Sequence, residues 1–86
     1  MTWQIEWDDR ARKELRSLDS SIQNKILRYL RERTTTNPQS FGRGLVGDKS
    51  NLWRYRIEDY RVVCRLEEHR LVVLVIEVGH RKEIYD

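Results

Sequence analysis

Residues 52–66, LWRYRIEDYRVVCRL, constrain the fold more than any other stretch of the chain. Apolar and charged side chains alternate on both sides of a two-residue link, Glu58-Asp59. Strict alternation marks a half-buried strand, and two such strands joined by two residues specify a β-hairpin and its register. Ile57 then faces Tyr60, Arg56 faces Arg61 and Tyr55 faces Val62. Alternation sends Trp53, Tyr55, Ile57, Tyr60, Val62 and Cys64 to one face, the expected core. It sends Arg54, Arg56 and Arg61 to the other. Like charges directly opposite one another destabilise a sheet, so the arrangement asks for a use. Three guanidiniums within roughly 5–8 Å of one another in backbone spacing, with no acid interleaved on their face, suit a phosphate or other oxyanion. Each is a planar fork of donors. A solvated charged face, with arginine stems covering apolar surface and Glu58, Asp59 and Glu67 as partners, stays open as the alternative at this point.

The rest of the chain supplies the layer that this hairpin needs. TWQIEW alternates, with Trp3, Ile5 and Trp7 on one side, and reads as a strand. Asp8 or Asp9 then caps a helix with body RARKELRSL, whose Ala11, Leu15 and Leu18 share a face. Asp19-Ser20-Ser21 breaks it, and a second helix from about Ser20 to Arg33 buries Ile22, Ile26, Leu27, Tyr29 and Leu30. A short break between amphipathic helices makes an antiparallel hairpin. The second helix fades in TTTNPQSFGRGLVGDKSN, where three threonines disfavour it, Pro38 forbids its continuation and three of the chain's four glycines fall. Strands are expected over Leu52–Ile57, Tyr60–Leu66 and Leu71–Val78. The last is apolar on both parities, so it is expected to be central and covered on both faces. The order β-α-α-β-β-β gives an α+β domain, with a helical hairpin packed on a mostly antiparallel four-stranded sheet.

At 86 residues the chain has room for a single domain, residues 1–86. Lys and Arg exceed Asp and Glu by 17 to 14, an excess too small to specify a nucleic-acid partner, so placement of the cations has to carry that case. A lone cysteine, Cys64 in an apolar run, makes no intrachain disulfide and fits a reducing compartment. Met1 leads at once into the first strand with no secretory apolar region. The longest apolar run, Leu71–Ile76, is far too short to span a bilayer. A cytoplasmic chain with no membrane contact is expected. Neither a metal nor another cofactor is expected: His69 and His80 with one cysteine have no metal-ligand spacing. No glycine-rich loop joins a strand to a helix, and no serine has a histidine–acid setting.

The C-terminal GHRKEIY adds an imidazole, His80, a fourth guanidinium, Arg81, and a phenol, Tyr85. Arginine contacts phosphate and an aromatic ring stacks on a base. Parity raises an objection. With Glu67–Arg70 as an even-numbered loop, Arg61 pairs with Ile76, and Arg81 falls on the core face unless Gly79 bends the chain.

These stretches, LWRYRIEDYRVVCRLEEHRLVVLVIEVGHRKEIY with the strand and helical hairpin ahead of them, resemble the RelE toxins of the RelE/ParE superfamily. The likeness spans nearly the whole chain, and LWRYR..DYRV and VGHRKEIY are its most specific parts. It implies the toxin of a type II toxin–antitoxin pair: a metal-independent endoribonuclease that enters the ribosomal A site and cuts mRNA there. The mRNA's own 2′-hydroxyl attacks the adjacent phosphate, leaving a cyclic phosphate and a 5′-hydroxyl. Carried over by motif, Arg61 would contact the scissile phosphate with Arg54 and Arg56 beside it. Arg81 would bind phosphate or help the leaving oxygen, and Tyr85 would stack on a base. The implied partners are a cognate RelB-like antitoxin, the ribosome and mRNA, with operator DNA reached only through the antitoxin.

Two departures from the family pattern matter. Many relatives carry lysine at the positions of Arg54 and Arg56, and an arginine, unlike a lysine in a crowded basic site, does not give up its proton. Proton transfer is then expected of His80 or Tyr85. The chain also stops at Asp86, where longer relatives continue into a C-terminal helix. The helices present a second basic surface, Arg10, Lys13, Arg16, Lys25, Arg28 and Arg31, which reads either as a solvated helix face or, as the resemblance to a ribosome-bound toxin implies, as a surface that would meet rRNA phosphates. Two rivals stand beside the nuclease: a ParE-like DNA gyrase poison of the same fold, and a catalytically weak homologue acting only by binding antitoxin.

Overall fold

The computed structural model describes residues 2–45 and 51–80. Strand β1 (Gln4–Trp7) leads into α1 (Asp9–Arg16) and α2 (Ser20–Tyr29), followed by β2 (Arg43–Gly44), β3 (Leu52–Ile57), β4 (Tyr60–Glu67) and β5 (Val72–His80). The strands form one sheet in the order β1-β5-β4-β3-β2. β1 runs parallel to β5, and the other three pairings are antiparallel. The α+β architecture is the expected one. With three antiparallel pairings and one parallel, the sheet is mostly antiparallel as expected; it differs in strand count, the two-residue β2 adding a fifth strand at its edge.

Polar side chains mark the start of α1 and the end of α2. The Asp8 carboxylate accepts the Arg10 N–H at 3.2 Å as the cap of α1. The end of α2 is widened into a single π turn over Leu30–Thr34. There the Thr34 hydroxyl donates to the Leu30 carbonyl at 2.6 Å and the Thr35 hydroxyl to that of Arg31 at 2.8 Å. Hydroxyls that compete for helical carbonyls loosen the ladder in this way.

The helices lay Ala11, Leu15, Ile26 and Leu30 against Tyr55, Ile57, Val62, Cys64, Leu66, Val73, Val75 and Val78. Trp3, Ile5, Trp7, Leu18, Ile22, Leu27, Tyr29, Trp53 and Tyr60 pack around that core. The hairpin register is the expected one, with Ile57 opposite Tyr60, Arg56 opposite Arg61 and Tyr55 opposite Val62. Its tight turn places Glu58 at φ 54°, uncommon for a residue with a side chain, and Lys25 of α2 pairs with that glutamate at 2.6 Å.

The centre of the sheet is β4, not β5. The last strand lies between β1 and β4, and its Leu74 and Ile76 are only half-buried on the helix-free face. A bulge also interrupts it. Cys64 pairs with Val75 but Val63 with Glu77, so Ile76 has no partner in β4. One extra residue reverses the alternation: Val73 and Val75 enter the core before the bulge and Val78 after it, while Glu77 is kept out. Arg61 consequently pairs with Gly79, not with Ile76. Past the end of β1, α1 runs beside β5, and the Glu14 carboxylate accepts the Val78 N–H at 2.9 Å.

Two buried acids make the fold sensitive to alkali. Desolvation pushes the Tyr55 phenol well above its ordinary 10.0, with Cys64 and Tyr29 adding to the rise, and burial does the same to the Cys64 thiol above its ordinary 9.0. Both groups are neutral when protonated, so the unfolded chain ionises first. Stability is fully present below about pH 9 and is lost as pH rises, by up to about 1.4 kcal/mol per pH unit for each group. Melting temperature should hold from pH 7 to 8 and fall above 9. The early part of the fall should flatten in Cys64→Ala; an unchanged profile would remove the thiol as its source.

Candidate phosphate-binding cleft

Three adjacent strands bring four arginines onto the sheet face that carries no helix. Arg56 of β3 lies opposite Arg61 of β4, and Arg43 of β2 lies opposite Arg54 of β3. Cross-strand partners share a face, and these four side chains line a cleft of about 280 Å³ together with Gly42. Arg61 is 8% exposed, its guanidinium donating to the Tyr60 carbonyl at 3.3 Å, whereas Arg43 and Arg56 stand in solvent and Arg54 is half-buried. No ion pair among the described residues involves Arg43, Arg56 or Arg61. Gly79, the β5 partner of Arg61, offers no side chain to fill the space beside it. The result is a shallow, strongly cationic hollow with one guanidinium drawn partly out of water, where its pull on an anion is strongest.

The expected cluster of Arg54, Arg56 and Arg61 is thus assembled, and Arg43 is an addition that strand patterning did not reveal. It sits in a two-residue strand inside the irregular stretch, too short for any alternation. The available signal was the pair of glycines around it in FGRGL, since isolated glycines beside a strand mark close backbone approach.

His80 is not brought to this face. Its register partner is Tyr60, and the two rings meet edge-on at 5.4 Å between centroids. Tyr60 belongs to the helix-covered side, so the bulge that turns Gly79 toward Arg61 turns His80 away from it. Arg81 and Tyr85 lie outside the described residues. The parity objection to Arg81 rested on pairing Arg61 with Ile76, and that pairing does not occur.

The helix cations divide. Arg10 is engaged by Glu14 at 3.2 Å and Glu77 at 3.5 Å, and Lys25 by Glu58. Lys13, Arg16, Arg28 and Arg31 are exposed on the helical layer, away from the cleft, with no ion pair among the described residues. A larger hollow of about 640 Å³ opens at the β4–β5 turn, between Asn51, Arg65 and the Glu67–Arg70 segment. It mixes both signs of charge, with Arg70 tied to Glu67 at 2.6 Å and Glu6 at 3.5 Å, so its field is weak despite its size. Among the described residues no group of three His, Cys, Asp or Glu side chains is placed to hold a metal ion, and no helix is long and apolar enough to cross a membrane.

Comparison with known proteins agrees with this geometry. The fold is similar to a chain of the toxin–antitoxin complex RelBE2 from Mycobacterium tuberculosis, with a TM-score of 0.86 and 20% identity over 94% of this chain and 100% of that one. The isolated RelE toxin of E. coli gives a TM-score of 0.78 and 26% identity over 91% of this chain and 83% of that one. The archaeal RelE–RelB complex from Pyrococcus horikoshii gives 0.78 and 23%, covering 98% and 100%. No curated protein matches the chain. The model of the ParE toxin of the type II toxin–antitoxin system parDE matches residues 5–85. Taken with the sheet, helical hairpin and arginine face, that match makes this chain a RelE-type member of the RelE/ParE superfamily of type II toxins.

Proposed function

We propose that this toxin is a metal-independent endoribonuclease that cuts mRNA in the ribosomal A site. The observation that carries the reading is the convergence of Arg43, Arg54, Arg56 and the mostly buried Arg61 on one cleft. In the proposed reaction the 2′-oxygen of the mRNA bonds to the adjacent phosphorus as its proton leaves. The bond to the 5′-oxygen of the next nucleotide breaks, and that oxygen takes up a proton. Products are a 2′,3′-cyclic phosphate and a 5′-hydroxyl. Negative charge accumulates on the phosphorane oxygens between these events, and cations already in position stabilise it more than they stabilise the ground state. Arg61 takes the scissile phosphate, Arg54 and Arg56 flank it, and Arg43 borders the neighbouring backbone. Arg81 and Tyr85 enter the reading through the family resemblance, as a further phosphate ligand and a base-stacking ring.

Guanidiniums do not shuttle protons at neutral pH, so the cleft arginines hold charge only. His80, with its ring against Tyr60 on the other face, is assigned no proton either. His80→Ala should therefore keep single-turnover cleavage near wild type. A loss of about 10²-fold or more, the range of a missing general base, would return it to the mechanism.

The proposed partners are a RelB-like antitoxin, as in the RelE–RelB complexes of similar fold, and the ribosome with its mRNA. Lys13, Arg16, Arg28 and Arg31 would meet rRNA phosphates, and the antitoxin would bring the toxin to operator DNA in the cytoplasm. Primer extension on mRNA held on purified ribosomes tests the core of this reading, cuts within the A-site codon being the expected result. A second reading, poisoning of DNA gyrase, is favoured by the ParE description of the matching family model. Inhibited supercoiling without mRNA cuts would establish it.

A further inference from the structure

The indole of Trp53 does more than fill the core flank. Its Nε1 donates to the Phe41 carbonyl at 2.5 Å, holding the chain just ahead of β2. A Cβ on Gly44 would lie 2.9 Å from the ring, and one on Gly42 would lie 2.9 Å from Nε1 and 2.4 Å from the Arg54 carbonyl. Gly42 also takes φ +70°, which side-chain-bearing residues rarely adopt. The backbone of residues 41–44 therefore lies directly on the indole. Gly44 is the register partner of Trp53, so both stand on the side of the sheet away from the arginines, and Arg43, one residue along, projects to the opposite side. Two residues of strand pairing are a weak tether for a cation in solvent. The indole shelf, with its hydrogen bond and its two glycine contacts, supplies the rest.

We infer that Trp53 is a positioning residue: through the β2 backbone it sets Arg43 opposite Arg54, completing the cationic cleft from the far side of the sheet. The inference rests on the reading of that cleft as a phosphate site. It predicts a coupling that plain packing does not produce. Trp53→Phe keeps a ring under the glycines but removes the donor to Phe41, so Arg43 loses its fixed place. In wild type, that change should slow single-turnover cleavage on ribosomes, by up to the roughly 10²-fold that a misplacement of about 1 Å can cost. In an Arg43→Ala background, where nothing remains to be positioned, it should cost nothing further.

A second readout does not depend on cleavage. Titration with inorganic phosphate, followed at the Arg43 Nε–Hε signal by NMR, should give a smaller shift in Trp53→Phe than in wild type, with the Arg56 signal little changed. Equal losses from Trp53→Phe in both backgrounds, or an Arg43 response identical to wild type, would overturn the inference. Should Trp53→Phe fail to fold, Gly42→Ala displaces the same backbone through the Arg54 carbonyl and must show the same dependence on Arg43. Absence of cleavage by the wild-type protein would count against the nuclease reading alone, and the phosphate titration would then decide the role of Trp53.

Discussion

Replacing Arg61 with methionine should lower ribosomal mRNA cleavage by about 10²–10³-fold, the loss typical of one preorganised donor, while leaving the melting temperature at or above that of wild type. The two effects have one origin. Arg61 is 8% exposed and stands across from Arg56, so the folded state carries a partly desolvated charge beside a like one. Methionine keeps an apolar stem of similar length and drops the charge, and exchanging a buried charge for an apolar side chain of similar volume is often neutral or stabilising. Single-turnover primer extension and thermal melting of the same preparation check both halves. Full cleavage by the variant would sink the phosphate role. A large loss of stability would show that Arg61 is there for structure, with partners that outweigh the repulsion.

Tyr55→Ala is expected to have the largest effect on folding. The side chain is wholly buried, meets Tyr29 edge-on at 5.9 Å between centroids and donates its hydroxyl to the Pro38 carbonyl at 2.6 Å. Truncating a buried aromatic costs about 3–5 kcal/mol. A domain of this length has roughly 4–13 kcal/mol in all, so the variant should be largely unfolded at mild denaturant concentrations. Tyr55→Phe removes the hydroxyl but keeps the ring and should cost only about 1 kcal/mol. Urea titration of the two side by side separates packing from hydrogen bonding. Similar losses from both would mean that the bond to Pro38, which anchors the segment ahead of β2, matters more than the ring.

What the sequence made legible was governed by local rules. Glu58-Asp59 fixed the hairpin register because a two-residue link leaves no alternative that keeps Tyr55 and Val62 on one face. The faces of α1 and α2 followed from spacing, and nearly all their expected core residues pack as anticipated. Two features were set by contacts between distant residues. Strand β2 exists because Trp53 and two glycines let a backbone lie against β3, and two residues have no periodicity to read. The bulge was in principle visible: regular alternation puts Glu77 in phase with Val73 and Val75 and Val78 out of it, and only an extra residue puts both valines and Val78 in the core while keeping the glutamate out. Reading LVVLVIEV as one regular strand missed it, and with it the side on which Gly79 and His80 fall.

Glu14 gives the sheet a protection that its strand count does not. Where a strand outruns its neighbour, its bare amide groups are a template for another chain, and that is how folded proteins begin to aggregate. β1 leaves β5 at Val75, but α1 occupies the vacated flank, and a carboxylate takes the Val78 N–H. A second molecule meeting this flank finds a helix and a satisfied donor. For a small toxin with a thin margin of stability, one side chain thereby withholds a stretch of β5 from the first step of fibre growth, and it does so without the cost of another strand.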